Sequence, residues 1–172
     1  MQYLDAHCDT LVRCYDHGEN LGENPFHLDL KRLSAYDPCG QIFAVWLDDR
    51  IYGAPEVGEQ AWDYLCKVTA FAKEQQERYP QWLQWCTNVQ EWQEAKEQGR
   101  CAGILSLEGG HGLGGQLERV EQLYRMGFRI ITLTWNDENL LACGCGAKRQ
   151  GGLKPFGRQV LEKMKELHML CD

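Results

Sequence analysis

The sequence predicts an α/β fold, a parallel sheet flanked by helices, built either as an open doubly wound sheet or as part of a (β/α)8 barrel. Two observations predict it. Short, near-continuous apolar runs recur along the chain, as in strands buried on both faces. Between them lie segments whose apolar residues step by three and four, the period of a helix that buries one face. A third observation concerns function. Residues able to do chemistry follow directly after the apolar runs, at what would be the C-terminal strand ends, where both architectures place their sites.

The elements follow in order. "YLDAHCD" (3–9) reads as the first strand, "QIFAVWLD" (41–48) as the second, "CAGILSLEG" (101–109) as the third and "FRIITLTWN" (128–136) as the fourth. A fifth begins at "MLCD" (169–172). Val57, Ala61, Leu65, Val68 and Ala72 form one apolar helical stripe, with "KEQQER" (73–78) as a solvated face. "NVQEWQEAKEQG" (88–99) is a short helix stopped by Gly99, and Leu117, Val120 and Leu123 mark another that ends near Gly127. The last helix carries Pro155 in its first turn and puts Phe156, Val160, Met164 and Leu167 on one face. Trp62, Trp82, Trp85 and Trp92 fall in or near the helices between the second and third runs and are read as helix-to-sheet packing. His17 and His27 are read as surface residues of a polar loop, and the loop 143–152 as a mobile lid.

The 172 residues suffice for one domain with a real core, and we expect a single domain over 1–172. Hydrophobic residues at 44% and charged residues at 25% are ordinary for a globular protein. The net charge of −7 argues against nucleic acid or an anionic membrane as the main partner and suits a small molecule or divalent cations. No apolar stretch approaches the roughly 20 residues of a membrane span, and no signal-peptide pattern opens the chain. Nine cysteines without a CxxC, the closest pair being Cys143 and Cys145, are read as reduced thiols of a cytoplasmic protein. "GHGLGG" (110–115) has the wrong spacing and position for a dinucleotide fingerprint, and there is no P-loop.

The chemistry concentrates on three residues. His7 and Asp9 stand two apart at the end of the first strand, a spacing that turns both side chains the same way. Glu108 ends the buried run "ILSLEGG", where an ionised carboxylate is costly unless paired or metal-bound. His, Asp and Glu at neighbouring strand ends make a hard nitrogen–oxygen ligand set that favours zinc, with manganese or iron as alternatives. The competing reading is a hydrogen-bonded network at the sheet edge. Cys8, between the two ligands, faces away from them. His111 is read as solvated or standing behind a ligand, and His168, at a helix end, as no ligand.

At this point the chain resembles a known family along its whole length. "DAHCDT" is similar to the first-strand HxD of the membrane (renal) dipeptidases, and "LDLKRLSAYDPCGQIFAVWLD" to the segment leading into their second strand. "LSLEGGHGL" carries their EGG, "TLTWN" resembles their fourth-strand signature, and "GGLKPFGRQVLEKMKELHMLCD" their GL-x-x-FG helix and the start of strand five. The resemblance implies an amidohydrolase-like (β/α)8 barrel and a zinc dipeptidase. His7 and Asp9 would bind one of two zinc ions, and Glu108 would bridge both and serve in catalysis. A metal-acidified water would then attack the peptide bond of a dipeptide. Trp135 stands where many members have a histidine that contacts substrate; we read it as substrate-binding, and it keeps open a reaction on another amide. The family's remaining ligands lie beyond Asp172, so we expect a chain holding strands one to four and the start of five. A barrel of this class needs about 200 or more residues. The alternative expectation is a catalytically incomplete barrel fragment that binds or self-associates, as a homo-oligomer, through its unpaired edge.

Overall fold

A computed structural model describes residues 3–36, 39–53, 58–148 and 151–172. Six strands form one sheet in the order β1-β2-β4-β5-β6, with β3 paired to β4 off that path. Pairings β1·β2, β3·β4 and β5·β6 are all parallel. By internal contacts the chain divides into two compact units, Met1–Val45 with Lys67–Leu105, and Trp46–Cys66 with Ser106–Asp172.

The first unit opens with β1 (Tyr3–Cys8) and α1 (Thr10–His17). Thr10, Leu11, Val12 and Cys14 are buried, and Gly18 ends α1 in the left-handed conformation that glycine adopts without strain. This helix was not legible in the sequence, and it moves His17 from the expected loop to a helix end, where it remains exposed. A short α2 (Leu30–Leu33) is capped by the Asp29 carboxylate, which accepts from the Arg32 N–H at 2.7 Å. β2 (Cys39–Trp46) pairs with β1 as Tyr3↔Cys39, Leu4↔Gly40 and Asp5↔Gln41, then Cys8↔Phe43. Three steps along β1 thus match two along β2, so β1 carries one extra residue just before its end.

α4 (Gly58–Arg78) buries Ala61, Leu65, Val68 and Ala72 completely, the stripe expected from its spacing; Val57, the first residue of that stripe, lies outside the described residues. β3 (Leu83–Trp85) was not expected: three residues with one buried leucine carry too little pattern to separate a strand from a loop. α5 (Val89–Glu97) starts at Asn88, whose side chain accepts from the Glu91 N–H, while the Glu91 carboxylate accepts from the Thr87 N–H. The tryptophans here pack as expected. Trp92 closes over Cys86, Ala95 and Ala102, and Trp85 meets the Phe43 ring edge-on at 5.1 Å and donates to the Ala72 carbonyl.

The boundary between the units falls within β2, α4 and β4 (Cys101–Glu108). The second unit holds α3 (Asp49–Tyr52), a 3-10 turn (Gly110–Leu113), α6 (Glu118–Met126), β5 (Phe128–Thr132), α7 (Pro155–Glu166) and β6 (Leu170–Cys171). α6 ends at Gly127 with φ 106°, and α7 has Pro155 at its start, both as the sequence indicated. Phe128 and Ile131 of β5 and Val160 and Met164 of α7 are buried. The loop after β5, expected to be a mobile lid, is tied down where it is described. Gly144 and Gly146 donate to the carbonyls of Asp137 and Asn136, and Cys143 to that of Gly152. Asn139, buried, donates to the Leu133 carbonyl and accepts from Leu141 and Ala142. Arg149 and Gln150 of that loop lie outside the described residues. Cys8, Cys14, Cys66, Cys86, Cys101, Cys143, Cys145 and Cys171 are free thiols.

Candidate metal centre

His7 is the last but one residue of β1, and Asp9 sits between β1 and α1. Asp9 occupies the cap position of α1 but its carboxylate caps nothing there, so it is left for other partners. His7 Nε2 lies 3.3 Å from Asp9 Oδ1, and both side chains are about half exposed, at 46% and 47%. The sequence argument put the two on one face by strand alternation. The structure brings them together differently: the extra residue shifts the register before His7, and Asp9 has already left the strand.

Glu108 ends β4, and its backbone is held from both sides. Leu47 N–H donates to its carbonyl at 3.0 Å, and the next residue, Gly109, donates to the Thr132 carbonyl at 3.1 Å. In a parallel ladder those two bonds set Trp46, Glu108 and Thr132 in register, with their side chains on one face. Asp172 continues the row: its N–H donates to Ile131, and Thr132 Oγ1 donates to Asp172 Oδ2 at 2.7 Å. Gly109 turns the chain at φ 92°, a conformation costly for any residue with a Cβ. His7 and Asp9 stand at the end of β1 in the first unit, and Glu108 ends β4 in the second. One imidazole and two carboxylates fit a zinc ion by donor type.

Trp135, three residues past the end of β5, packs edge-to-face on Trp46, ring centres 5.0 Å apart. The Trp46 indole N–H is buried without a hydrogen-bond partner. Asp48 caps α3 and is held by the Arg50 guanidinium, which keeps its carboxyl below the usual range. The Cys8 thiol is pushed up to about 12 by burial, which disarms it as a nucleophile.

The largest addition that sequence reasoning missed is a buried pair. His111, in the 3-10 turn after Glu108, has Nε2 2.6 Å from Asp49 Oδ1, and both side chains are 2% exposed. The approach is a close contact off the line of a hydrogen bond. Asp49 Oδ2 accepts from the backbone N–H groups of Asn136 at 2.9 Å and Asp137 at 2.7 Å. Burial lowers the His111 pKa, against the pull of Asp49 and Asp137, so the ring favours its neutral form. His111 is therefore not solvated. The only advance signal was a histidine directly after a pair of glycines. It also lines a cavity of about 240 Å³ with Tyr52, Asn139, Leu140 and Lys154, and none of His7, Asp9 or Glu108 borders it.

Comparison with known proteins follows from this arrangement. The family model for membrane dipeptidase (peptidase family M19) matches residues 1–172. Among solved structures, the chain is similar to the dipeptidase AC, a metallopeptidase of family M19, with a TM-score of 0.83 and 19% identity over 98% of this chain and 55% of that one. It is similar to a metallopeptidase from Rhodobacter sphaeroides liganded with a phosphinate mimic of the dipeptide L-Ala-D-Ala, with a TM-score of 0.83 and 20% identity over 98% and 57%. A probable dipeptidase, PvdM from Pseudomonas aeruginosa, matches with a TM-score of 0.80 and 17% identity over 91% and 42%. The chain thus spans about half the length of these structures. Its fold is the α/β parallel sheet of the first part of their barrels.

Proposed function

This chain belongs to the membrane dipeptidase family, peptidase family M19, and from that premise we propose that it carries the first half of a zinc-dependent dipeptidase site. The observation that carries the proposal is the family match over all 172 residues. The donor types of His7, Asp9 and Glu108, each at a strand end, support it. These three residues would hold one zinc ion, and Glu108 would also be the catalytic carboxylate shared with a second. Bound zinc supplies an acidified water and polarisation of the scissile carbonyl.

The chain's own residues have separate tasks. His7 and Asp9, both half exposed, leave the metal position open to solvent. The backbone bonds on either side of Glu108 fix where its side chain leaves the strand. Trp135, braced by Trp46, supplies an apolar wall against the substrate in place of a histidine. An indole has one N–H donor and no acceptor, so this wall can shape and donate but cannot move a proton. The substrate class is a dipeptide, a reading supported by the dipeptide mimic in the Rhodobacter sphaeroides neighbour. The remainder of the proposal is a single 1–172 domain, cytoplasmic, that associates with further copies. No helix among the described residues is long and apolar enough to cross a membrane.

The test is metal content after zinc incubation and desalting, with dipeptide hydrolysis measured on the same samples. We expect at least one zinc per chain in the wild type and none in Glu108→Ala. Unchanged loading in Glu108→Ala would overturn the assignment.

A further inference from the structure

We infer that Asp49, backed by His111, is a positioning residue for the aromatic wall of the site, an inference that rests on the dipeptidase reading only for what the wall contacts. Three strand-end segments meet at this carboxylate. Asp49 itself belongs to α3, three residues after Trp46. Its Oδ2 receives the N–H groups of Asn136 and Asp137, the two residues directly after Trp135. Its Oδ1 faces His111, which belongs to the turn three residues after Glu108. Trp46, Glu108 and Trp135 therefore each hang from a segment that this one side chain belongs to or touches.

The arrangement is poorly explained as a stabilising device alone. A carboxylate at 2% exposure gives up its hydration, and a hydrophobic residue of similar volume often serves stability as well. What the carboxylate does that an apolar residue cannot is fix two successive backbone N–H groups at one point. That sets the direction in which the chain leaves Trp135, and with it the 68° edge-to-face angle between Trp135 and Trp46. His111 stands on the other side of the carboxylate, so Asp49 cannot turn away from the loop without losing it.

The experiment is near-ultraviolet circular dichroism, which reads a tryptophan pair held at a fixed angle. The signal of this pair is identified by its loss in Trp135→Phe. In Asp49→Leu, which removes the acceptor at similar volume, we expect at least half of that signal to disappear while the far-ultraviolet spectrum stays native. A purely structural role would lower Tm and leave the signal in place, and that result in a folded Asp49→Leu overturns the inference. Should Asp49→Leu not fold, His111→Gln decides: a reduced signal supports the positioning role, and an unchanged one overturns it. Zinc loading of the wild type is measured separately. Its absence would sink the proposed activity and leave this inference standing.

Discussion

Arg119 offers a direct measure of how the turn behind Glu108 is held. It is 4% exposed, on α6. Its Nη1 donates to the Gly112 carbonyl at 2.9 Å, inside the 3-10 turn, and its Nη2 donates to Glu59 at 2.5 Å. Its guanidinium carbon lies 4.8 Å from the centre of the Trp62 ring. Arg119→Met keeps most of the aliphatic stem and removes these polar contacts. Stripping a charged donor from a buried carbonyl costs about 2 to 3 kcal/mol. The cation–π contact adds about 0.5 to 1 kcal/mol. Glu59 is 72% exposed, so its ion pair contributes under about 1 kcal/mol. Methionine needs no desolvation of a charge, which offsets part of the loss. The net expectation is a destabilisation of about 3 kcal/mol. With a urea m-value of about 2 kcal/mol/M, the unfolding midpoint falls by about 1.5 M. Arg119→Lys keeps the charge and loses the fork, so it should show about half the shift. A shift below about 0.5 M for Arg119→Met, or a lysine variant as damaged as the methionine one, would refute the account.

Two further outcomes are expected. His111 has a folded-state pKa below its ordinary value, so the unfolded chain takes up its proton first as the medium is acidified. The stability it contributes is present above about pH 6.5 and is lost as pH falls toward the folded pKa, at no more than about 1.4 kcal/mol per pH unit. Denaturant midpoints between pH 8 and 5 should therefore fall more steeply in the wild type than in His111→Gln; parallel curves would contradict the burial of a neutral ring. Cys8, Cys14 and Cys86 have thiols pushed up to about 12 by burial, whereas Cys145 is exposed. With iodoacetamide at neutral pH, peptide mapping should find Cys145 alkylated well before those three. Early labelling of Cys8 would count against its thiol being disarmed.

The long apolar stripes were readable in advance because each buries a whole face. Ala61, Leu65, Val68 and Ala72 of α4, and Val160 and Met164 of α7, are hidden in the positions their spacing demands. β4 and β5 were legible for the same reason, and Gly127 and Pro155 marked ends that their backbones require. α1 and β3 were not, since an eight-residue helix and a three-residue strand hold too few periods for hydrophobic spacing to register. His7, Asp9 and Glu108 could be named as candidates from residue type and place alone, and Trp135 only from the family resemblance.

What the sequence determined by itself is the order of the longer strands and helices and the chemistry available at the strand ends, because periodicity and residue type are local properties. Only the tertiary structure decided which of those end residues share a face and which are spent on holding the loops. The extra residue in β1, the row of Trp46, Glu108 and Thr132, and the buried meeting of Asp49 with His111 depend on register and on contacts between segments far apart in the chain. Asp48 and Asp49 are neighbours with the same side chain, yet one caps a helix beside an exposed arginine and the other is sealed against a histidine. Both are buried; their partners separate them, and those are set by what the rest of the chain brings up against each.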